Sequence, residues 1–282
     1  MYNGIDVSSW QKDIDWKKVK KAGVQFAMLR SSFGWGNNQK DKYFEANYKG
    51  AKSVGIPVGC YHYSYAKNVQ EAIKEADFCY SVIKGKQFEY PIAYDMEEPS
   101  VRALGKTKVS EIAKAFCERM ESYGYYVCIY SSKYWFNTYF TDEIFNKYDI
   151  WLAEWSEKPT CKKSFGIWQK SSKGSVSGIT GNVDLNESYR DYTKIMKNNG
   201  LNGFNKSTPV TPSKTETKPI TNKLKKGDKV KVINPLNYDT GKKFKLWFKT
   251  YTVLETPKTE RVVIGKYGVV TSAIHVKYIT KV

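Results

Sequence analysis

The sequence predicts an α/β protein that consists of a (β/α)8-like barrel with an incomplete ring of outer helices, followed by a small all-β barrel. Three observations predict this fold class. Strand-like and helix-like segments alternate through the first half of the chain, and the strand candidates that follow are separated by gaps too short for full crossover helices. A stretch rich in Thr, Ser, Lys and Pro then precedes a last segment of short strands.

Four segments with helical periodicity join the first five strand candidates. Each helix candidate ends within two residues of a glycine, a residue that often lies just past the C-terminus of a helix. The strands are predicted at residues 4–7, 25–29, 57–63, 91–94 and 126–130, and the helices at residues 15–22, 43–54, 70–83 and 109–123. This alternation indicates parallel strands connected by crossover helices.

Three further strand candidates, at residues 150–153, 166–169 and 182–184, complete a predicted set of eight. Residues 1–202 are therefore expected to form the barrel domain, residues 203–222 a flexible linker and residues 223–282 a second domain. The second domain shows a small β-barrel pattern, with strands predicted at residues 229–233, 246–254, 261–264, 269–273 and 276–279.

The net charge of +18 is concentrated in the C-terminal part of the chain. Residues 203–282 contain 17 Lys and Arg against 5 Asp and Glu, a charge of +12, which leaves +6 for residues 1–202. Such an excess suits nucleic acid, an anionic membrane or an anionic cell wall, and charge by itself does not choose among these partners.

The five Cys are scattered and mostly lie in apolar segments, which indicates free thiols in a reducing compartment. No Cys/His cluster or calcium-loop spacing appears, so neither a metal site nor a cofactor is expected. The first residues lack a basic region followed by an apolar run, and no stretch approaches about 18 consecutive apolar residues. Neither a signal peptide nor a membrane span is therefore expected.

Asp95 and Glu97 follow an apolar run at the end of the fourth strand candidate. Because side chains alternate along a strand, the two carboxyl groups are expected on one face, with Cα atoms about 6.5–7 Å apart. Proton transfer to a glycosidic bond requires such a pair of carboxyl groups. The structural alternative is a pair of loop carboxylates that cap the next turn.

In barrels of this type, the working residues lie at the carboxyl ends of the strands. Closing the barrel places the first strand beside the eighth, so Asp6 and Asp184 are expected near Asp95 and Glu97. Like charges in a partly desolvated cleft do not all ionise, so at least one carboxyl group is expected to remain protonated and to serve as an acid. The other strand-end candidates, for substrate binding, are Arg30, Tyr63, Tyr130, Trp155 and Gln169.

Structural alternatives exist for several of these side chains. Asp6 and Asp184 could equally be turn or capping residues, and aromatic residues at strand ends often serve only packing. For His62, a hydrogen-bonded core histidine is favoured over a catalytic one. Clustered carboxylates could also bind Mg²⁺ or Ca²⁺, an interpretation that ranks below the glycosidase because a glycosidase needs no metal.

Eight short motifs, taken in order, make the chain resemble the glycoside hydrolase family 25 lysozymes of the Chalaropsis type. Any one motif alone is weak, but their conjunction is specific, and the resemblance covers residues 1–195. The motifs lie at residues 4–11, 14–16, 23–30, 59–63, 94–97, 129–131, 150–153 and 167–169.

This resemblance implies a β/α barrel that is short of some helices. It also implies an N-acetylmuramidase that cuts the β-1,4 bond between N-acetylmuramic acid and N-acetylglucosamine, so that the partner is a peptidoglycan glycan strand rather than nucleic acid or membrane. Glu97 matches the family's acid. Asp95 matches the carboxylate that stabilises positive charge at the sugar, through the substrate's acetamido group, and Asp6 and Asp184 match the flanking acids.

The last 60 residues are more loosely similar to bacterial Src-homology-3-like modules appended to wall hydrolases. The similarity implies binding to an anionic wall polymer or to stem peptides, with Tyr238, Trp247, Phe248 and Tyr251 as candidate groove residues; half of these aromatics could instead fill the small core. The combination resembles a phage endolysin, which accumulates in the host cytoplasm and is released to the wall. A bacterial autolysin and a non-catalytic wall-binding protein on a glycosidase scaffold are the alternatives.

Overall fold

The computed structural model describes residues 1–205, 224–239, 241, 243–244, 246, 249–255, 261–266 and 269–282. The chain divides into two compact units, Met1–Val210 and Thr211–Val282. Residues 206–222, which make up most of the predicted linker, lie outside the described residues. Within the described ranges, every helix is too short or too polar to cross a bilayer.

The first unit is a closed barrel of eight strands that follow one another around the ring in chain order. This confirms the predicted eight-stranded barrel. Neighbouring strands are parallel from the first to the seventh, whereas the eighth is antiparallel to both of its neighbours. The strands are β1 (Tyr2–Val7), β2 (Phe26–Phe33), β3 (Val58–Tyr63), β4 (Ile92–Asp95), β5 (Val127–Ser132), β6 (Asp149–Ala153), β7 (Ile167–Gly174) and β8 (Val183–Ser188).

The direction of β8 departs from the eight parallel strands of a (β/α)8 barrel. Only residues 175–182 connect β7 to β8, whereas a parallel connection needs about a dozen residues or more. The amino end of β8 therefore lies at the same rim as the carboxyl ends of β1–β7. Asp184 was expected at the carboxyl end of the eighth strand; it is instead the second residue of β8, yet it reaches the expected rim.

The described part of the first unit contains four helices that were predicted and three that were not. Two of the predicted helices have a side-chain N-cap. The Asp15 side chain accepts a hydrogen bond from the Lys18 N–H, and the Asn68 side chain accepts one from the Glu71 N–H. No helix joins β6 to β7 or β7 to β8. The predicted helices are α1 (Trp16–Lys21), α2 (Phe44–Ser53), α3 (Val69–Ile83) and α4 (Gly105–Ser122); the additional ones are α5 (Lys133–Tyr139), α6 (Asp142–Lys147) and α7 (Tyr192–Asn199).

Side-chain alternation gives each barrel strand an outer face and an inner face. On β2, Ala27 and Leu29 belong to the core between barrel and helices, while Phe26 and Met28 belong to the core inside the barrel. Gly4 leaves space for this interior, because a Cβ atom there would lie 2.3 Å from the ring of Phe26. Towards the carboxyl rim, the inner positions become polar and form the site.

His62 lies on the outer face of β3, away from that site. Its Nδ1 atom is 2.8 Å from the Ser32 hydroxyl, and its ring stacks near Phe116 and Tyr94. Burial lowers the pKa of His62 to about 3, so the ring is neutral at physiological pH. The structure confirms the core histidine rather than the catalytic one.

The second unit contains a five-stranded antiparallel sheet in the order β12-β11-β10-β9-β13. The prediction of a strand at residues 276–279 is wrong in part, because Val276–Tyr278 form a 3-10 helix before the last strand begins. Only the end of the predicted strand 246–254 is a strand in the described residues. The strands are β9 (Lys229–Val232), β10 (Tyr251–Val253), β11 (Arg261–Lys266), β12 (Val269–His275) and β13 (Ile279–Lys281).

The predicted groove aromatics of the second unit have different environments. Tyr251 is 1% exposed and fills the small core with Val230 and Val253, so its prediction as a groove residue is wrong. The alternation of β10 buries Tyr251 and Val253 on the same face. Tyr238 is 42% exposed. Trp247 and Phe248 lie outside the described residues.

Candidate active site

A cavity of about 410 Å³ opens at the rim formed by the carboxyl ends of β1–β7. Its lining includes every side chain that the sequence suggested for catalysis or substrate binding in the first unit: Asp6, Asp95, Glu97, Asp184, Arg30, Tyr63, Tyr130, Trp155 and Gln169.

Strand pairing brings the four carboxyl groups together. Asp6 on β1 is the direct partner of Asp184 in the antiparallel β1–β8 pair. Asp95 is the last residue of β4, and Met96 extends the pairing to β5 by donating its N–H to the Tyr130 carbonyl at 3.0 Å. Because Met96 packs into the outer core, Asp95 and Glu97 on either side of it both face the cavity.

Amide side chains hold Asp6 through one of its carboxyl oxygens. Gln169 Nε2 donates to Asp6 Oδ2 at 2.9 Å, and Asn186 Nδ2 donates to the same oxygen at 2.8 Å. Burial raises the pKa of Asp6 well above its usual value, and the charge of Asp184 raises it further. The two amide hydrogen bonds oppose this rise but do not cancel it.

Asp95 is buried with one carboxyl oxygen that accepts no hydrogen bond from the described residues. The residue is 4% exposed, and no donor among the described residues reaches its Oδ1 atom. Burial raises the pKa of Asp95 well above its usual value, the charges of Glu97 and Asp6 raise it further, and the charge of Arg30 opposes them. An unpaired buried carboxylate is costly, so the ionised form of this side chain has a high free energy, which an adjacent positive charge lowers.

Glu97 and Asp184 complete the group of four carboxyl residues. Burial raises the pKa of Glu97, followed by the charges of Asp184 and Glu98. Burial also raises the pKa of Asp184, although a hydrogen bond with Asp6 lowers it in part. The cavity therefore combines carboxyl groups that all retain protons more readily than carboxyl groups in water.

Gln169 links two aromatic residues of the lining to this acidic group. Its Oε1 atom accepts hydrogen bonds from the Tyr130 hydroxyl and from the Trp155 indole, each at 3.0 Å. Tyr130 is buried, whereas Trp155 is 64% exposed at the entrance of the cavity. Tyr63 lies on the other side and donates its hydroxyl to Glu98 Oε2 at 3.2 Å.

Arg30 is paired with a carboxylate outside the group of four. Its Nε donates to the buried carboxylate of Asp41 at 2.8 Å, and one of its terminal nitrogens donates to the Ser9 hydroxyl at 2.9 Å. Among the described hydrogen bonds and ion pairs, Arg30 therefore has Asp41, and none of the four cleft acids, as its carboxylate partner. Arg30 instead supplies a fixed positive charge near Asp95.

Several residues in the cavity lining or next to it were not predicted from the sequence. Asn186 lies two residues after Asp184 on β8, and strand alternation could have identified it. Trp151 donates its indole N–H to Asn186 Oδ1 at 2.8 Å. Tyr61 and the largely exposed Trp10 also line the cavity. Trp10 lies within the first of the eight motifs, so its position in the sequence could have drawn attention to it.

The chemistry that this arrangement supports is proton transfer between carboxyl groups and a bound substrate. Within the described ranges, no set of three or more His, Cys, Asp or Glu side chains has an arrangement that would hold a metal ion. Enzymes that hydrolyse glycosidic bonds use paired carboxyl groups with a raised pKa.

Comparisons with known proteins agree with this chemistry. The chain is 28% identical over 188 residues to the autolytic lysozyme of Clostridium acetobutylicum, covering 65% of this chain and 55% of that protein. It is 33% identical over 198 residues to lysozyme M1 of Streptomyces globisporus, covering 65% of this chain and 66% of that protein. The modular autolysin LytC from Streptococcus pneumoniae, solved with a synthetic peptidoglycan ligand, matches with a TM-score of 0.59 and 27% identity, over 66% of this chain and 46% of that one.

The chain thus spans between about half and two thirds of the lengths of these two curated relatives, 55% and 66%. The family model of the glycosyl hydrolases family 25 matches residues 5–179, which include three of the four clustered carboxyl groups and more than half of the chain. The match, together with the closed barrel and the acidic cavity at its rim, means that this chain belongs to the glycosyl hydrolases family 25.

Proposed function

We propose that this protein is an N-acetylmuramidase that hydrolyses the β-1,4 bond between N-acetylmuramic acid and N-acetylglucosamine in peptidoglycan. The observation that carries the proposal is the convergence of Asp6, Asp95, Glu97 and Asp184 in one cavity, with a raised pKa for each. The match to LytC, whose structure holds a synthetic peptidoglycan ligand, supports the substrate class.

In the proposed reaction, Glu97 is the general acid. Its carboxyl proton passes to the glycosidic oxygen as the bond from that oxygen to the sugar carbon breaks. Asp95 stabilises the positive charge that develops at the sugar, through the substrate's acetamido group. Water then supplies the oxygen for the new bond at the sugar carbon, and its proton restores the acid. The negative charges of Asp184 and Glu98 keep the pKa of Glu97 high, and Asp6 contacts Asp184 through a hydrogen bond.

The remaining cavity residues are proposed to bind the glycan. Tyr63, Tyr130 and Trp155 provide aromatic surfaces beside the carboxyl groups, and Gln169 and Arg30 provide polar contacts. Aromatic rings with a polar handle can contact the apolar faces of sugar rings while they donate hydrogen bonds.

Mass spectrometry of digested peptidoglycan tests the proposal directly. We expect new reducing ends on muramic acid after incubation with the wild-type protein. New reducing ends on glucosamine would reassign the bond, and free stem peptides would reassign the reaction class. Binding to walls with no release of reducing sugar would support the alternative of a non-catalytic wall-binding protein.

For the second unit we propose a Src-homology-3-like module that attaches the enzyme to the wall. The five-stranded antiparallel sheet supports this proposal. The C-terminal part contains 17 basic and 5 acidic residues, which supports an anionic wall polymer as the ligand, with stem peptides as the alternative. Tyr238 is the predicted groove residue whose exposure agrees with this role.

A truncation after residue 205 tests this attachment. The truncated protein keeps Asn202, whose side chain donates to the Tyr90 carbonyl at 2.8 Å and accepts from the Tyr126 N–H at 2.7 Å. The barrel therefore keeps these two hydrogen bonds to the end of its chain. We expect the truncated protein to cleave soluble glycan fragments at the wild-type rate but to sediment less with walls. Equal sedimentation with walls would contradict the module's role.

The proposed site of action is the cell wall, outside the membrane. A phage endolysin that accumulates in the host cytoplasm before release is the proposed origin. Four of the five Cys, at positions 60, 79, 117 and 128, are buried and free, which suits folding in a reducing compartment.

A further inference from the structure

The segment between β6 and β7, residues 154–166, contains no regular secondary structure, yet it carries Trp155 to the cavity. The backbone hydrogen bonds of a helix or strand therefore do not fix its conformation. Side-chain contacts must do so if Trp155 is to present a constant surface to a substrate.

Glu154 supplies those contacts. One carboxylate oxygen accepts the Lys133 ammonium at 2.8 Å and the Thr160 hydroxyl at 2.5 Å, and the other accepts the backbone N–H groups of Thr160 at 3.0 Å and Cys161 at 3.1 Å. The side chain is only 11% exposed. Four donors on one carboxylate tie the beginning of the segment to its middle and to the start of α5.

The backbone of Glu154 is fixed as firmly as its side chain. Its carbonyl accepts the indole N–H of Trp168 at 2.7 Å, and its N–H donates to the Gln169 carbonyl at 3.1 Å. Glu154 is thus attached to β7 through its main chain and to residues 160–161 through its carboxylate. The next residue along the chain is Trp155.

Trp155 itself has little packing to hold it. Its indole is mostly exposed, and its N–H reaches the same Gln169 oxygen that accepts Tyr130. Gln169 in turn donates to Asp6. A fixed backbone at Glu154 therefore keeps the indole against a side chain that also contacts the acidic group.

We propose that Glu154 is a positioning residue for substrate binding, which acts by holding Trp155 at the cleft. This inference rests on the proposed glycosidase function and assigns no proton transfer to Glu154. The hydrogen bonds that it accepts outweigh its partial burial and lower its pKa to about 2, so the carboxylate keeps its charge throughout the pH range in which a lysozyme is assayed.

The substitution Glu154→Gln tests the proposal, because it keeps the side-chain size but turns an amide NH₂ towards groups that also donate hydrogen bonds. We expect KM for soluble glycan fragments to rise about tenfold and kcat to change less than about threefold, since uniform binding is lost rather than transition-state chemistry. Glu143→Gln is the matched control, because Glu143 also pairs with a lysine, Lys114 at 2.7 Å, but lies outside the cavity lining. It should leave KM unchanged.

A double-mutant cycle separates positioning of Trp155 from a general structural role. Trp155→Ala should also raise KM about tenfold, and the double variant Glu154→Gln/Trp155→Ala should be no worse than Trp155→Ala alone. Additive increases in KM would overturn the proposal, and so would an unchanged KM in a folded Glu154→Gln variant.

Thr160→Val provides a second variant if Glu154→Gln does not fold. It removes one side-chain donor to the carboxylate and keeps the backbone donors, so we expect a KM increase of about two- to threefold that also disappears in the Trp155→Ala background. Failure of the proposed function itself is distinguishable, because the wild-type protein would then cleave no glycan at all.

Discussion

Two carboxyl groups near the same rim of the barrel have opposite environments. Asp95 is buried with one oxygen beyond the reach of any donor in the described residues, and burial raises its pKa. Glu154 accepts four hydrogen bonds, which overcome the effect of burial and lower its pKa to about 2. Both residues lie directly at or after the end of a barrel strand.

The difference shows how one side-chain type serves two purposes. Donors and a lysine make Glu154 a permanent anion that organises a segment of chain. The cleft offers Asp95 and Glu97 other carboxyl groups instead of donors, so the two do not ionise together easily, and Glu97 keeps the proton that the proposed reaction uses. The carboxylate with four donors thus has a lowered pKa, whereas Asp95 and Glu97 have raised ones.

The largest effect is expected for Glu97→Gln. The amide has the size of the carboxyl group but no proton to transfer, so kcat on peptidoglycan fragments should fall about 1,000-fold with the fold and wall binding retained. Release of reducing sugar measures the rate, and circular dichroism checks the fold.

Glu118→Gln is the matched control for this variant. Glu118 accepts a hydrogen bond from the Lys147 ammonium at 2.6 Å, and it does not line the cavity. We expect its kcat to fall less than about threefold. A Glu97→Gln variant that is as active as this control would contradict the assignment of the acid.

A smaller loss of activity, joined to a gain in stability, is expected for Asp95→Asn. Burial raises the pKa of Asp95 in the folded protein above its value of about 3.9 in the unfolded chain. The contribution of this group to the free energy of unfolding is therefore fully present below the unfolded pKa and is lost as the pH rises through the folded pKa. The amide does not titrate. At pH 7 we expect the variant to be about 1 kcal/mol more stable, or about 2–4 °C in Tm, and about 100-fold less active.

Thermal unfolding at several pH values checks the origin of that gain. The difference in Tm between Asp95→Asn and the wild type should shrink as the pH falls towards 3, where the wild-type carboxyl group is protonated in both states. A gain that stays constant with pH would mean that the charge is not its cause.

The smallest effect is expected for Lys133→Gln, which removes one partner of Glu154. The pKa of Glu154 is lowered to about 2 in the folded protein, from about 4.3 in the unfolded chain. The contribution of this carboxylate to the free energy of unfolding is therefore fully present above the unfolded pKa and is lost as the pH falls to about 2. Because Lys133 is about one third exposed, solvent screens the pair, and we expect a loss below about 1 kcal/mol at pH 7. The loss should vanish near pH 2 in thermal unfolding experiments; persistence at that pH would exclude the ion pair as its source.

The sequence was sufficient to predict the features that follow from local geometry. Period-two alternation placed Asp95 and Glu97 on one face, and ring closure placed Asp6 beside Asp184. These predictions rest on backbone rules that tertiary packing does not change.

Features that depend on distant segments were not predictable in this way. Asp41 reaches Arg30 because the chain after β2 folds back, with Phe33 N–H donating to the Gln39 carbonyl, and no periodicity indicates that return. Tyr251 is buried because β10 turns it towards Val230, a partner that a three-residue strand does not specify by itself.

The antiparallel β8 was predictable in principle but was not predicted. The short connection after β7 contains too few residues for a crossover, which indicates a hairpin. The helices α5 and α6 are only seven and six residues long, too short to show an apolar periodicity.

The pairing of β1 with β8 also determines when the acid cluster is completed during synthesis of the chain. Tyr2 pairs with Ser188, so the contact that closes the ring joins the beginning of the unit to its end. Contacts of such long sequence separation form late in folding. Asp184 meets Asp6 only through this contact, and a growing polypeptide therefore remains without a complete acid cluster until nearly all of the barrel has left the ribosome.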